Sequence, residues 1–352
     1  MDLQKVIEAI RPLDEFAMEQ AQRRLDGIAK PLGSLGKLED LLIKGAGICR
    51  SQNVDFSKKA IVALCADNGV VEEGVTQTSS DITALVADNM TKKQACVAIM
   101  AEKMQADIVV VDMGMIKDPQ NEAILNRKIA YGSKNMAKEP AMSYDEALLS
   151  LQYGIELAFA LKDQNYGLLA TGEMGIGNTT TSSAMTAIFL DKKVREVTGR
   201  GAGLSSHGLE KKIAVIEKAI ALHQPNKNDP IDVLAKLGGF DIGGLAGVFL
   251  GCGACGLPVL VDGFISGVAA LLAVRICPLV KNYLYGSHLS QEPGARMVLD
   301  ELGIGYFLDC NMRLGEGTGA VASFGLFDMA QEIYERMSSF EDIEMDAYQP
   351  LD

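Results

Sequence analysis

The chain has 352 residues, 48% of them hydrophobic and 22% charged, enough to bury a large core in one large or two moderate domains. A net charge of −13 with no concentrated Lys/Arg stripe argues against nucleic acid as a partner. Seven cysteines, an odd number set mostly in apolar surroundings, fit a reduced cytoplasmic protein better than a disulfide framework.

In chain order, Met1 to Glu15 mixes charges with apolar residues at helical spacing and shows no apolar stretch of the secretory-signal kind. Residues 1–50 read as helical, interrupted by the turn residues Lys30-Pro31-Leu32-Gly33-Ser34-Leu35-Gly36. Beyond them, short apolar runs alternate with longer segments of helical period, the pattern of an α/β protein whose parallel sheet is covered by helices. Strands are expected at Ala60 to Cys65, Ile108 to Val111, Gly167 to Ala170, Val259 to Val261 and Tyr306 to Leu308. Helices are expected near Thr83 to Met104, Tyr144 to Leu161, Gly208 to Leu222 and Phe264 to Ile276, with Ser143 and Glu146 forming a capping box before the second. Ile242 to Val274 is apolar, but its glycines, Pro258 and Asp262 predict two buried elements joined by a turn and not a membrane span. Residues 325–352 read as helical again and stand outside the alternation. The expected organisation is therefore a small helical subdomain from 1–50 with 325–352, beside a catalytic domain over 51–324.

An acid follows each expected strand: Asp67, Asp112, Glu173, Asp262 and Asp309. In open parallel sheets the ligand crevice lies beyond the carboxyl ends of the strands, so these acids either surround a site or cap neighbouring helices. Met312-Arg313-Leu314-Gly315-Glu316-Gly317-Thr318-Gly319-Ala320 sets one carboxylate among three glycines. It reads as a displayed catalytic base or as a turn whose acid favours the next helix dipole. Thr171-Gly172-Glu173-Met174-Gly175-Ile176-Gly177-Asn178-Thr179-Thr180-Thr181 runs from a strand into a helix start near Ser182 to Ala184. Free N–H groups and hydroxyls there suit a phosphate, although neither the Walker A nor the dinucleotide fingerprint is matched. Gly199-Arg200-Gly201-Ala202-Gly203, followed by Lys211 and Lys212, and Gly238-Gly239-Phe240-Asp241-Ile242-Gly243-Gly244 are two more glycine-rich turns, and together the three predict a ligand cradle. Zinc is not expected, because His207, His223 and His288 lack ligand spacing, and Cys252-Gly253-Ala254-Cys255 reads as buried thiols. No nucleophile elbow is present.

Together, Lys30 to Gly36, Cys65-Ala66-Asp67-Asn68-Gly69-Val70, the Gly172 to Thr180 loop, Gly238 to Asp241, Leu257-Pro258-Val259-Leu260-Val261-Asp262-Gly263-Phe264, Ser287-His288 and Arg313 to Gly317 resemble the nicotinate-nucleotide:dimethylbenzimidazole phosphoribosyltransferase family. The resemblance runs in order from about residue 12 to residue 330. It implies a Rossmann-like parallel sheet with a small helical domain, in a homodimer. The implied partners are nicotinate mononucleotide and a benzimidazole-type base, for the lower-ligand nucleotide of cobalamin, with no metal or cofactor. Glu316 resembles the catalytic base and Glu173 a second carboxylate near the reacting centre. Gly175, Gly177, Asn178, Thr179 and Thr180 fall in the implied nucleotide loop, with Gly201, Lys212 and Ser290 as further contacts. Asp241, Gly243, Asp262 and Phe264 resemble ribose and base neighbours.

Two positions depart from the family pattern. Asn68 stands where Asp-His-Gly is common, and Val86 stands where some members place a Gln facing the base. Val86 is expected on a helix facing the base pocket together with Thr78 or Ser80 on the preceding loop, with the surroundings of Leu314 and Met174 as the alternative place for acceptor choice. Losing a hydrogen-bonding side chain changes which base edge is read, so other azoles and phenolic acceptors stay open. The rival readings are a nicotinamide-dependent dehydrogenase, which lacks its fingerprint after the first strand, and a non-catalytic nucleotide-binding protein.

Overall fold

Strand β1 (Lys59–Ala66) is buried along its whole length, as an aliphatic run is when helices cover both faces of a sheet. In the computed structural model, which describes residues 2–348, six further strands extend the sheet: β2 (Asp107–Gly114), β3 (Leu125–Asn126), β4 (Leu168–Met174), β5 (Val259–Val261), β6 (Leu284–His288) and β7 (Tyr306–Leu308). Every pairing is parallel and the spatial order is β3-β2-β1-β4-β5-β6-β7. The order reverses between β1 and β4, which is where a doubly wound sheet opens a crevice at the strands' carboxyl ends. The expected α/β class therefore holds, and the sheet is wholly parallel.

The helices before the first crossover are α1 (Leu3–Ala9), α2 (Glu15–Gly27), α3 (Lys37–Cys49), α4 (Asp81–Thr91) and α5 (Cys96–Lys103). Those that follow are α6 (Tyr144–Asp163), α7 (Asn178–Phe189), α8 (Val194–Val197), α9 (Ser206–His223), α10 (Pro230–Leu237), α11 (Phe240–Cys255), α12 (Phe264–Ile276), α13 (Pro293–Leu302) and α14 (Thr318–Arg336). Several starts are written locally. Asp14 accepts from Ala17 N at 2.9 Å, Ser143 and Glu146 form the reciprocal box, and Asp229 caps α10 just before Pro230.

Three expectations needed correction. The helical period from Thr83 to Met104 is two helices, because the chain turns between α4 and α5 with Lys93 at φ +57°. The apolar stretch 242–274 resolves into α11, β5 and α12, three elements and not two. Strands β3 and β6 were not expected, since β3 has only two residues and Leu284-Tyr285-Gly286-Ser287-His288 is not a continuous apolar run.

The glycines of α11 explain its density of small residues. A Cβ on Gly154 of α6 would lie 1.9 Å from Gly244 O, and one on Gly247 would lie 2.0 Å from Leu151 O, so the two helix backbones are in direct contact. Gly154→Ala is expected to force them apart, lowering stability by about 1–3 kcal/mol or more, as chemical denaturation would read. An unchanged midpoint would contradict this packing.

At the ends of the chain, Arg24 Nε donates to Tyr334 O at 3.0 Å, Phe340 N donates to Gly27 O at 2.9 Å, and Ile28 bridges Ser339. Of the expected helical segment 325–352, only the part up to Arg336 is helix, since α14 ends there and 337–348 are turn and extended chain that return to α2; Met1 and residues 349–352 lie outside the described residues. Helix α14 runs through residue 325, and its Phe327 packs edge-on against Phe56, Tyr285 and Phe307 of the sheet layer.

Candidate active site

Gly315, Glu316 and Gly317 all have positive φ, at +88°, +61° and +95°. Two glycines enter this region freely, but Glu316 does so at a cost of order 1–3 kcal/mol, which the surrounding contacts must hold. They do so from three sides. A Cβ on Gly172 of β4 would lie 2.4 Å from Glu316 O, so the strand backbone abuts the loop. Asp262, after β5, accepts from Ala320 N at 2.9 Å and ties down the start of α14. Val97 N, in the first turn of α5, donates to Glu316 Oε2 at 3.3 Å and aims the carboxylate. Burial and the nearby Asp262 charge push the Glu316 carboxyl up, against the pull of that N–H.

Glu173 closes β4 and lies against Gly315, where a Cβ would come within 2.6 Å of its Oε1. Behind it, the Asn178 side-chain amide donates to Glu173 Oε2 and, at 3.0 Å, to Asp241 Oδ2. Asp241 Oδ1 has no hydrogen-bond partner among the described residues. Two buried carboxyls bridged by one amide disfavour double ionisation. Burial first, and then the Asp241 charge, push Glu173 up to about 8, and burial pushes Asp241 up to about 7. Both values lie above the ordinary unfolded range, so both groups contribute stability below about pH 4, and it is lost as pH rises through the folded values. The ligand-free protein should therefore show a Tm that falls from about pH 4.5 and levels off above about pH 8, reflecting a few kcal/mol at full ionisation. Glu173→Gln should flatten that slope, and a slope identical to wild type would rule Glu173 out as its source.

These groups face a cleft of about 630 Å³ whose opposite wall is built to accept an anion. Gly177, at φ +97°, precedes α7 and provides no side-chain cap; Asn178 N and Thr180 N donate to Gly175 O and Gly177 O, and Thr179 between them lines the cleft at the positive end of the helix. Lys212 of α9 is only 1% exposed, and its Nζ donates to Thr179 Oγ1 at 2.8 Å. Burial pushes its ammonium down to about 8, opposed by the charge of Glu292. Lys211 is exposed. Arg313 Nη1 reaches Gly201 O at 3.4 Å and lines the same wall.

Of the residues expected at the site, Glu173, Met174, Gly175, Gly177, Asn178, Thr179, Gly201, Asp262, Phe264, Ser290, Leu314, Glu316 and Val86 line this cleft. Six do not. Lys212 stands one hydrogen bond behind the wall through Thr179, and Asp241 stands behind it through Asn178. Thr180 is buried within α7. Gly243 faces α6, where a Cβ would meet Ser150 Oγ at 2.0 Å. Thr78 and Ser80 lie off the wall, and their neighbours Thr76 and Gln77 line it. Asn68 is buried and braces α7, accepting from Thr181 Oγ1 at 3.4 Å. Among the other strand-end acids, Asp67 accepts from Thr83 Oγ1 at 2.5 Å and Ile116 N at 2.8 Å, and Asp112 accepts from Gly114 N and Met115 N. Both are braces, and Asp309 is exposed.

Gln77, Arg200, Ser266, His288 and Glu292 line the cleft without having been singled out as site residues. His288 Nδ1 lies 3.8 Å from Asp262 Oδ1, and Gln77 Nε2 donates to Gly203 O. In the sequence His288 stands out only within the Ser287-His288 segment of the family resemblance, and its position at a strand's carboxyl end was hidden because β6 itself was not expected.

Sheet order, switch-point cleft and facing acid and anion walls define the class: a doubly wound α/β enzyme acting on an anionic substrate. A phosphoribosyltransferase family model matches residues 10–345. A protein of Acetivibrio thermocellus named nicotinate-nucleotide–dimethylbenzimidazole phosphoribosyltransferase is 48% identical over 346 residues, 98% of this chain and 99% of its own length. One of the same name from Clostridium acetobutylicum is 46% identical with 100% of both chains covered. The crystal structure of CobT from Thermus thermophilus superposes with a TM-score of 0.89 at 35% identity, covering 94% of this chain and 99% of that one. The chain belongs to the nicotinate-nucleotide–dimethylbenzimidazole phosphoribosyltransferase family.

Proposed function

We propose that this protein transfers 5-phosphoribosyl from nicotinate mononucleotide to a nitrogen of 5,6-dimethylbenzimidazole or a related base. The products are alpha-ribazole 5′-phosphate, for the lower ligand of cobalamin, and nicotinate. The observation that carries this reading is one cleft in which Glu173, Asp262 and Glu316 face an anion wall made by the start of α7, Gly201 and Arg313.

The phosphate sits at the α7 start beside Thr179, with Lys212 supplying charge through the Thr179 side. Nicotinate leaves from a ring nitrogen that is already cationic and takes the bonding pair, so its departure needs no proton. Positive charge developing at the ribosyl carbon is stabilised by Asp262 and by Glu173, whose ionisation the incoming cation favours. One ring nitrogen of the acceptor forms the new bond, and the proton on the other passes to Glu316. Incubation with nicotinate mononucleotide and 5,6-dimethylbenzimidazole should release nicotinate only when both are present. Release at the same rate without the base, or none at all, would discard the reading.

The acceptor stacks against Val86, Met174 and Leu314, an apolar wall with Gln77 at its edge. Val86→Gln adds an amide and should shift relative kcat/KM among benzimidazole, dimethylbenzimidazole, adenine and phenolic acceptors by about 1–3 kcal/mol. A competition assay with equimolar bases measures this directly. An unchanged product ratio would take Val86 off the wall.

The same reading includes a homodimer in the cytoplasm, with residues 1–50 and 325–352 as a small unit beside a 51–324 catalytic unit. In its support, Phe16, Met337, Ile343 and Met345 are exposed on those end segments, and all seven cysteines are free. Light scattering reads the oligomeric state, and a monomer at working concentration would count against the dimer.

A further inference from the structure

Glu292 occupies an unusual place for an acid. It is the N-cap of α13, ahead of Pro293, yet its side chain makes no cap hydrogen bond to that helix. Its own backbone N–H is directed to Ser290 Oγ at 3.4 Å, and the residue is part of the cleft lining. There it is packed against the backbone of Gly199, where a Cβ would fall 1.9 Å from Oε2 and 2.7 Å from Pro293 Cδ. Only a glycine leaves room for the carboxylate in this position. Oε2 is buried and has no hydrogen-bond partner among the described residues.

The groups facing this carboxylate are those of the anion wall. They are the Gly201 N–H, the ammonium of Lys212 from α9 and the guanidinium of Arg313 from the loop after β7. Arg200 lines the same cleft but donates to Leu204 O and Ser206 Oγ. Burial pushes the Glu292 carboxyl up against the pull of those cations and that N–H. A fixed carboxylate among the donors of a phosphate repels a dianion, because two acceptor-only groups then face each other in a low-dielectric wall. One proton removes the conflict. With it, the Glu292 carboxyl and a phosphate oxygen share a short charge-assisted O–H···O bond in place of the repulsion.

We propose that Glu292 is a specificity-determining residue that makes this cleft take up a phosphate ester together with one proton from solvent, shared between its carboxyl and a phosphate oxygen. The inference rests on the phosphate placement of the proposed function. Its consequence is discrimination by proton content. A phosphate monoester has a second pKa near 6 and carries the proton at little cost, whereas sulfate carries none near neutrality and meets Glu292 as a bare acceptor. The cleft therefore resists sulfate and similar anions without any contact to the nucleoside.

Ribose 5-phosphate is the probe, because it carries the phosphate and no pyridinium charge to disturb Glu173. Calorimetric titration in two buffers of different ionisation heat counts the protons bound with it. Between about pH 6 and 7, where Lys212 is already protonated, wild type should take up a fraction approaching one proton, and Glu292→Gln should take up clearly less. In turnover assays, inorganic phosphate should inhibit wild type about tenfold or more better than sulfate, and Glu292→Gln should bring the two within about twofold. Binding of ribose 5-phosphate to wild type with no proton uptake across that range overturns the proposal, whatever becomes of the variant. So does equal inhibition of wild type by the two anions. Failure of ribose 5-phosphate to bind wild type at all would overturn the phosphate placement itself, a different result from binding without a proton.

Discussion

Glu316→Gln is expected to lower kcat by about 10²–10⁴-fold while leaving KM for nicotinate mononucleotide within about twofold. The amide keeps the shape and can still meet Val97 N through its oxygen, so the positive-φ loop holds its form. What it loses is the ability to take the acceptor's proton. Because burial raises the Glu316 carboxyl, the acidic limb of the wild-type kcat/KM profile should lie above the ordinary carboxylate range, and that limb should vanish in the variant. Steady-state rates across pH, with circular dichroism as a check on folding, measure both. Wild-type kcat in the variant would remove Glu316 from the role.

Lys212→Ala should raise KM for the nucleotide by about 10–100-fold and leave KM for the base nearly unchanged, since only the nucleotide brings a phosphate to the α7 end. The ammonium is pushed down to about 8, so it loses its proton as pH rises through that value. Nucleotide KM of wild type should therefore climb above about pH 8, a climb the alanine variant lacks. Exposed Lys211 is the control, and its alanine variant should behave as wild type. Equal effects on both substrates would contradict the placement.

The sequence was most readable where one physical signal dominated. The aliphatic runs of β1 and β5 announced buried parallel strands, and Ser143 with Glu146 announced the start of α6. Strand β6 was hidden because Gly286, Ser287 and His288 face tight neighbours, with a Cβ on Gly286 lying 2.1 Å from Gly305 O, and so carry no apolar signature. At the site, glycine context pointed to Glu316 and Glu173, both of which reach the cleft. It pointed equally to Asp241 and Gly243, which stand behind it, because a glycine-rich turn looks the same in sequence whether its backbone meets a ligand or another helix. Glu292 gave no signal, since an acid before a helix-starting proline reads as an ordinary cap.

The left-handed turn at 315–317 also bears on how this protein can diverge. Its backbone lies in a region that closes to almost every residue once a Cβ is added at either glycine, and the space beside Gly172 and Gly315 is already filled. Single substitutions of those glycines are therefore expected to disturb the placement of Glu316. Val86, Gln77 and Leu314 are half-buried or exposed and bear no such constraint. Changes of acceptor are thus expected to arise more readily at these positions than in the turn.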